Sequence, residues 1–240
     1  MRKKALIFSL IGVVCLLGLM FTFSFIPVFK SGNRNLPVYS VDRQDNKIAL
    51  TFNCAWGDED IDVILSELEK YKVKATFFVV GEWAEKYPQR VTDIIRHGHE
   101  IGGHSYNHKD YTQLNNTDLA HDIEKNQNAI GKSIKYIRVP SGAYNNRVID
   151  TIEAEGYIAV QWSIDTIDYG NTDCDTIYRR ATEKTESGDI ILMHTGTQNT
   201  SVALGRILEY FKGKFECVSV SELLYTDNYV VDSAGEMIAK

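Results

Sequence analysis

Lys74-Ala75-Thr76-Phe77-Phe78-Val79-Val80-Gly81 is the stretch on which the fold turns. Its uncharged run of β-branched and aromatic residues lacks the polar alternation of a half-exposed strand, so it predicts a strand buried on both faces. Such a strand needs helices to cover its sheet, and the flanking sequence supplies them. Upstream, residues 60–70 place Ile61, Ile64, Leu65 and Leu68 at helical spacing behind an acidic start. Before that helix, residues 38–41 and 47–53 are β-rich and are separated by Arg43-Gln44-Asp45-Asn46, which predicts a hairpin into a central strand.

Downstream the alternation continues: helix 88–97, a short strand near Glu100, helix 117–131, strand 135–139, helix 145–155 and strand 157–162. Helix 173–185, strand 189–194, helix 202–211 and strand 216–220 complete it. About seven strands alternating with helices predict an α/β fold with parallel βαβ units, closed or nearly closed into a barrel over residues 38–225. The tail 226–240 carries no readable pattern.

The chain has 240 residues, 26 Lys+Arg against 32 Asp+Glu, and a net charge of −6. Residues 1–34 hold five of the basic residues and no acidic one, which leaves 21 basic against 32 acidic, a net −11, on the rest. A body that acidic is unsuited to a phosphate backbone, so no nucleic-acid partner is expected. The 44% hydrophobic content excludes a disordered chain.

Residues 5–29 are uncharged and apolar, long enough to cross a ~30 Å hydrocarbon core as one transmembrane helix. Arg2-Lys3-Lys4 orients that helix with its start in the cytoplasm. The expectation is a single-pass cell-membrane anchor over 1–30, a linker over 31–37, and an extracytoplasmic, monomeric domain. A cleaved signal peptide is the alternative; the apolar run is longer than a usual signal core, and no small-x-small site follows it. Cys15 is expected to face lipid, and Cys54, Cys174 and Cys217, an odd number, define no disulfide framework.

Polar residues cluster where predicted strands end, the face on which α/β barrels do chemistry. His104 and His108, four apart after Gly102-Gly103, would share one face of a helical turn within reach of one metal ion. Alone the motif is weak and reads first as two solvated or hydrogen-bonded histidines. Arg138, before Pro140-Ser141-Gly142, has the fork to orient a carboxylate or is an ordinary surface arginine. Trp162 to Tyr169 supplies Asp165 and Asp168 with aromatics of the kind that stack on sugars, or capping and core residues. His194 ends an apolar strand, where a carboxylate neighbour would tune it as a general acid.

Taken in order, KATFFVVG, HGHEIGGHSYNH, RVPSGAY, SIDTIDY and DIILMHT resemble the signatures of the NodB-type polysaccharide deacetylases, carbohydrate esterase family 4, over roughly residues 47–224. A Trp-Gly pair after the first strand is similar to the sporulation-associated members. The resemblance implies a distorted (β/α) barrel that removes N-acetyl groups from GlcNAc or MurNAc units of a cell-wall or spore-cortex polysaccharide, with a divalent metal, zinc foremost. It implies His104 and His108 as metal ligands, Arg138 paired with Asp165, and Asp165 orienting His194. His194 would protonate the leaving amine, and Tyr144, Trp162 and Leu192 would line the substrate pocket.

The first signature departs. Where the family has Thr-Phe-Asp-Asp-Gly, this chain reads Thr51-Phe52-Asn53-Cys54-Ala55-Trp56-Gly57. Asn53, a neutral amide, is no base. Cys54 stands where the family has its ligand carboxylate; it is either a thiolate ligand suited to zinc or a small buried residue. Asp58, Glu59 and Asp60 follow, Asp60 being the best placed of them to reach a metal, although an acidic helix start explains all three. An anchored deacetylase is therefore expected, with a glycan-binding or structural envelope protein that has lost hydrolysis as the alternative, and a different zinc amidohydrolase as a third.

Overall fold

A computed structural model describes residues 35–240. The anchor, Cys15 and most of the linker lie outside the described residues. Among the described residues, no helix is long and apolar enough to cross a membrane.

The chain enters through β1 (Ser40–Val41) and β2 (Lys47–Cys54), then runs α1 (Ile61–Lys70), β3 (Thr76–Val79), α2 (Gly81–Lys86), α3 (Pro88–Arg96) and β4 (Glu100–Gly103). It continues through α4 (Asn116–Ile130), β5 (Tyr136–Ile137), α5 (Asn146–Ala154), β6 (Ile158–Ala159), β7 (Ile164–Asp165), α6 (Cys174–Thr182) and β8 (Ile190–His194). The last elements are α7 (Thr200–Phe211), β9 (Glu216–Val218), α8 (Val220–Leu223), β10 (Tyr229–Val231) and β11 (Glu236–Ala239). Three helix starts are written locally: Asn115, Asn145 and Asp173 each accept the backbone N–H three residues on, satisfying a donor the helix leaves open.

The main sheet is parallel, in the order β6-β5-β4-β3-β2-β8-β7, with β9 also on β2. β6 pairs with β5 and β7 with β8, yet β6 and β7 are successive pieces of one segment. The sheet therefore curls until only four residues of chain separate its two end strands. This is the α/β architecture expected, but the predicted strand 157–162 is shortened to Ile158–Ala159 on β5, and a separate strand, Ile164–Asp165, follows on β8.

Strand alternation sorts the side chains. Ile48, Leu50, Phe52 and Cys54 of β2 face outward and pack with Ile61, Ile64 and Leu68 of α1. Phe52 and Phe77 stack there at 5.0 Å, and truncating either to Ala removes about 3–5 kcal/mol of packing. The inner face holds a second cluster that includes Ala49, Phe78, Tyr136, Val160 and Ile190. Toward the carboxyl ends that inner face becomes polar, and the register sets Asn53 opposite His194.

Two expectations for the flanks are corrected. β1 makes no hairpin with β2; it pairs in parallel with β11, Ser40 opposite Glu236, in a separate sheet of order β1-β11-β10. β2 already has β3, β8 and β9 along its edges and no room for β1. The unassigned tail supplies that sheet through the antiparallel pair β10–β11. The last predicted strand stops at Val218 because Ser219 opens α8 through a reciprocal capping box with Glu222.

Candidate active site

Four buried polar side chains meet on the inner face: Asn53 from β2, His104 just after β4, Arg138 just after β5 and His194 at the end of β8. The Arg138 guanidinium is fully buried, 4.0 Å from the Phe78 ring centre. It donates to the carbonyls of Val160 (3.4 Å) and Gln161 (2.9 Å) and to Asn53 Oδ1 (3.0 Å). Burial lowers its pKa to about 9, and the nearby charge of Asp165 opposes that. Because Asn53 Oδ1 accepts from Arg138, its amide nitrogen turns to His194 Nε2, 3.4 Å away.

His194 has a carboxylate partner, but not the expected one. Asp168 Oδ1 lies 2.7 Å from His194 Nδ1, and Asp168 Oδ2 accepts the His194 backbone N–H at 2.7 Å and the Thr200 hydroxyl at 2.5 Å. These roles agree with one state: Nδ1–H donates to Asp168 and the Nε2 lone pair faces Asn53. Asp165 orients neither His194 nor Arg138. Its Oδ1 accepts the Ile167 backbone N–H and its Oδ2 the Tyr169 hydroxyl, so the carboxylate is spent within its own turn. No carboxylate of the described residues forms an ion pair with Arg138.

Two aromatics frame His194: Tyr169, one of the aromatics expected to stack on sugars, and Trp56, noted in the sequence only through its Trp-Gly pair. Trp56 stacks on the His194 ring at 5.1 Å and 24°, and Tyr169 meets it edge-on at 5.2 Å. The Trp56 loop is pinned where Trp83 Nε1 donates to the Gly57 carbonyl, and by Arg90 bridging Asp58 and Asp62. Gly196 (φ +69°) follows close behind, and a Cβ there would stand 2.3 Å from the Gly57 nitrogen, so only glycine lets the two loops meet.

The histidine pair comes together without the helical turn expected for it. Residues 104–108 form a loop with His108 at φ +57°, and the two rings still meet edge to face at 4.9 Å. His104 Nδ1 lies 2.8 Å from the Arg138 carbonyl, which fixes the proton there and frees Nε2 as a lone-pair donor. Burial and the neighbouring His108 hold its pKa well below the usual histidine range, while His108 is lowered by burial and then by His194.

The pair is thus built as two ligands are, but a catalytic zinc site takes three from the protein, and the remaining candidates do not converge. Cys54 follows Asn53 by one residue, so strand alternation turns it to the helix side. It lies in the outer core, and burial pushes its thiol up to about 12. Asp60 at the head of α1 is buried and accepts the Gly196 N–H at 2.8 Å. Its pKa is raised by burial, with that bond opposing. Among the described residues, no three His, Cys, Asp or Glu side chains gather as a metal site. The implied divalent metal is met by two of the three protein ligands it would need.

The pocket residues divide. Trp162 lies 5.6 Å from the Arg138 guanidinium, and Leu192 is buried on the inner face of β8. Tyr144, beyond the turn Pro140–Gly142 where Ser141 takes φ +55°, accepts from the Tyr39 hydroxyl at 3.1 Å. Asp168 was legible as the second carboxylate of its motif; Thr200, its other partner, carried no signal.

Known proteins with this architecture define the class. The polysaccharide deacetylase family matches residues 40–160. The chain is 33% identical over 195 residues to a peptidoglycan-N-acetylglucosamine deacetylase of Bacillus cereus, covering 78% of this chain and 92% of the relative. It is also 33% identical to the uncharacterised protein YlxY of Bacillus subtilis, covering 78% of this chain and 60% of YlxY. A second Bacillus cereus deacetylase is covered over 64% of its length, so the chain spans under two thirds of these two relatives.

Among solved structures, a peptidoglycan N-acetylglucosamine deacetylase superposes with TM-score 0.73 at 32% identity, covering 78% of this chain and 91% of the other. A family pseudoenzyme from Bacillus anthracis superposes with TM-score 0.74 at 28% identity, covering 78% and 68%. The chain belongs to the polysaccharide deacetylase family.

Proposed function

We propose that the protein is a polysaccharide N-deacetylase acting on GlcNAc or MurNAc units of a cell-wall or spore-cortex glycan. In this reading an N-terminal anchor holds the domain outside the cytoplasmic membrane. The observation that carries it is the His194–Asp168 dyad at the carboxyl end of β8, walled by Trp56 and Tyr169. Family membership and the named deacetylase relatives support the substrate class.

Asn53 offers no base, so one imidazole serves twice. His194 Nε2 takes a proton from water as the water oxygen adds to the acetyl carbonyl carbon. It then returns that proton to the amide nitrogen as the C–N bond breaks, releasing acetate and a free amine. Asp168 steadies the imidazolium formed between the two transfers. Asn53, held by Arg138, is placed to position the water beside Nε2.

A second reading, a glycan-binding protein without hydrolysis, is favoured by the neutral Asn53 above Arg138 and by the two-histidine half-site. The discriminating experiment purifies the full-length chain in detergent and measures acetate release from N-acetylated chitotetraose and from peptidoglycan, beside His194→Ala. Acetate release above that variant supports the enzyme. Glycan binding with no acetate above the variant leaves the second reading standing.

A further inference from the structure

Tyr229-Val230-Val231 is a run of strand-forming residues that the fold leaves at an edge. On one side β10 pairs with β11: the Lys240 N–H donates to the Asn228 carbonyl at 2.6 Å, and the Asp232 N–H to the Glu236 carbonyl at 3.0 Å. In an antiparallel ladder such bonds come from alternate residues, so the N–H and C=O groups of Tyr229 and Val231 point the other way. Among the described residues, no strand pairs with that side. A free strand edge is a template for another strand.

The edge opens on a hollow of about 350 Å³, lined by Tyr229 and Val231 and by Gly156, Tyr157 and Ile158 on the turn into β6. His194 and its partners take no part in it. The one charged side chain lining the hollow is Glu153, and no Lys or Arg joins it there. Glu153 lies in the last turn of α5 and Glu155 caps it, where the helix has its own negative pole and no basic residue to offset it. Burial, and then the charge of Asp150, raises the Glu153 carboxyl, while Asp150 is itself held by Asn35. Negative charge gathered at the negative end of a helix is a local cost that a cation removes.

We infer that this hollow docks an extended segment of a partner protein, which adds a strand to the free edge of β10 and lays one Lys or Arg side chain against Glu153 and the end of α5. Backbone bonds to Tyr229 and Val231 supply affinity, and the acidic helix end selects the basic side chain. Tyr157 and Tyr229 give apolar surface to the stem of that side chain. The inference is independent of the deacetylase reading, because the hollow shares no residue with the candidate active site.

The probe is a fluorescein-labelled peptide, Thr-Val-Lys-Val-Thr, blocked at both ends and read by fluorescence anisotropy on the full-length chain in detergent. Two companions replace its Lys with Glu or carry methyl groups on the three central backbone nitrogens. The Lys peptide should bind at least about threefold more tightly than the Glu peptide, the scale of one exposed ion pair, and Glu153→Gln should remove most of that difference. Val231→Pro deletes a free-edge N–H at a position where a strand tolerates proline. Binding of the Lys peptide should fall roughly 2- to 10-fold, the range of one net hydrogen bond, with the urea midpoint unchanged. Absent binding of the Lys peptide, equal binding of the Lys and Glu peptides, or binding untouched by Val231→Pro overturns the docking site. If Val231→Pro shifts the urea midpoint, the methylated peptide decides: weaker binding than its parent upholds the edge, and equal binding overturns it.

Discussion

On the β7–β8 side of the inner face, His194 is held on every side, by Asp168 and through it Thr200, and by the rings of Trp56 and Tyr169. On the β2–β4 side, Asn53, His104 and His108 meet with no carboxylate among them, and the buried Arg138 is satisfied by two carbonyls and an amide. Only the first couples a titratable ring to a buried carboxylate. A buried network can be complete in hydrogen bonds and still lack the charge that chemistry needs. The first side is equipped for proton transfer and the second for holding and placing.

The largest effect that can break this contrast is at the dyad. Asp168→Ala should lower kcat/KM for acetate release about 10²- to 10⁴-fold, the range of positioned acid–base catalysis, because His194 loses the partner fixing its proton on Nδ1. Asp165→Ala should cost far less in the same assay. Equal losses would return Asp165 to the role first expected of it.

Next comes Asn53→Asp, which sets a carboxylate against the buried Arg138 and beside His194. Acetate release should rise at least about tenfold if the missing base limits turnover. The thermal midpoint should rise as well, since a buried cation gains an anionic partner. No change in rate would show that His194 alone carries both proton transfers.

A background measurement sharpens the comparison by separating site from scaffold. His99, packed against Phe77 with Nδ1 accepting the Ala75 N–H at 3.3 Å, is held by burial at about 4 instead of 6.5. The unfolded chain takes up that proton as pH falls through about 6.5, whereas the folded chain resists until about 4. Stability is therefore full above pH 6.5 and declines across that window, by about 3 kcal/mol. Urea unfolding at pH 7 and 4.5 reads it, and His99→Gln should flatten the slope. The buried His104 adds a loss of the same sign.

The smallest effect expected is at Cys54. Cys54→Ala should cost about 1 kcal/mol of stability, as a modest loss of outer-core packing. Zinc content of the purified chain, read by mass spectrometry, should be unchanged. A large drop in bound zinc would instead bring Cys54 to the inner face.

The βαβ alternation, the helix starts at Asn145 and Asp173, and the placement of His104, Arg138 and His194 at strand ends were legible because each depends on neighbours along the chain; the helix predicted from residue 117 starts slightly earlier, at its Asn115 cap. The partner of His194 was not. Asp165 and Asp168 lie in one motif, and which of them turns inward is decided by the turn at Ile167, where φ is +53°. β1 was misread for a similar reason: its turn is local, but its pairing was settled by the three strands already on β2.

What the sequence by itself determined is the periodicity: a buried parallel sheet, helices to cover it, and a polar rim at one end. Local spacing also decides which side of β2 each residue faces, so the opposite orientations of Asn53 and Cys54 were already written in their adjacency. Only the tertiary structure decided who meets whom across that rim: Asp168 with His194, Asn53 with Arg138, Trp56 over the imidazole, and Asp60 with Gly196 instead of the histidines. Those contacts join residues far apart in the chain, or choose between near-equal neighbours, and they depend on the curl of the whole sheet, which no local pattern encodes.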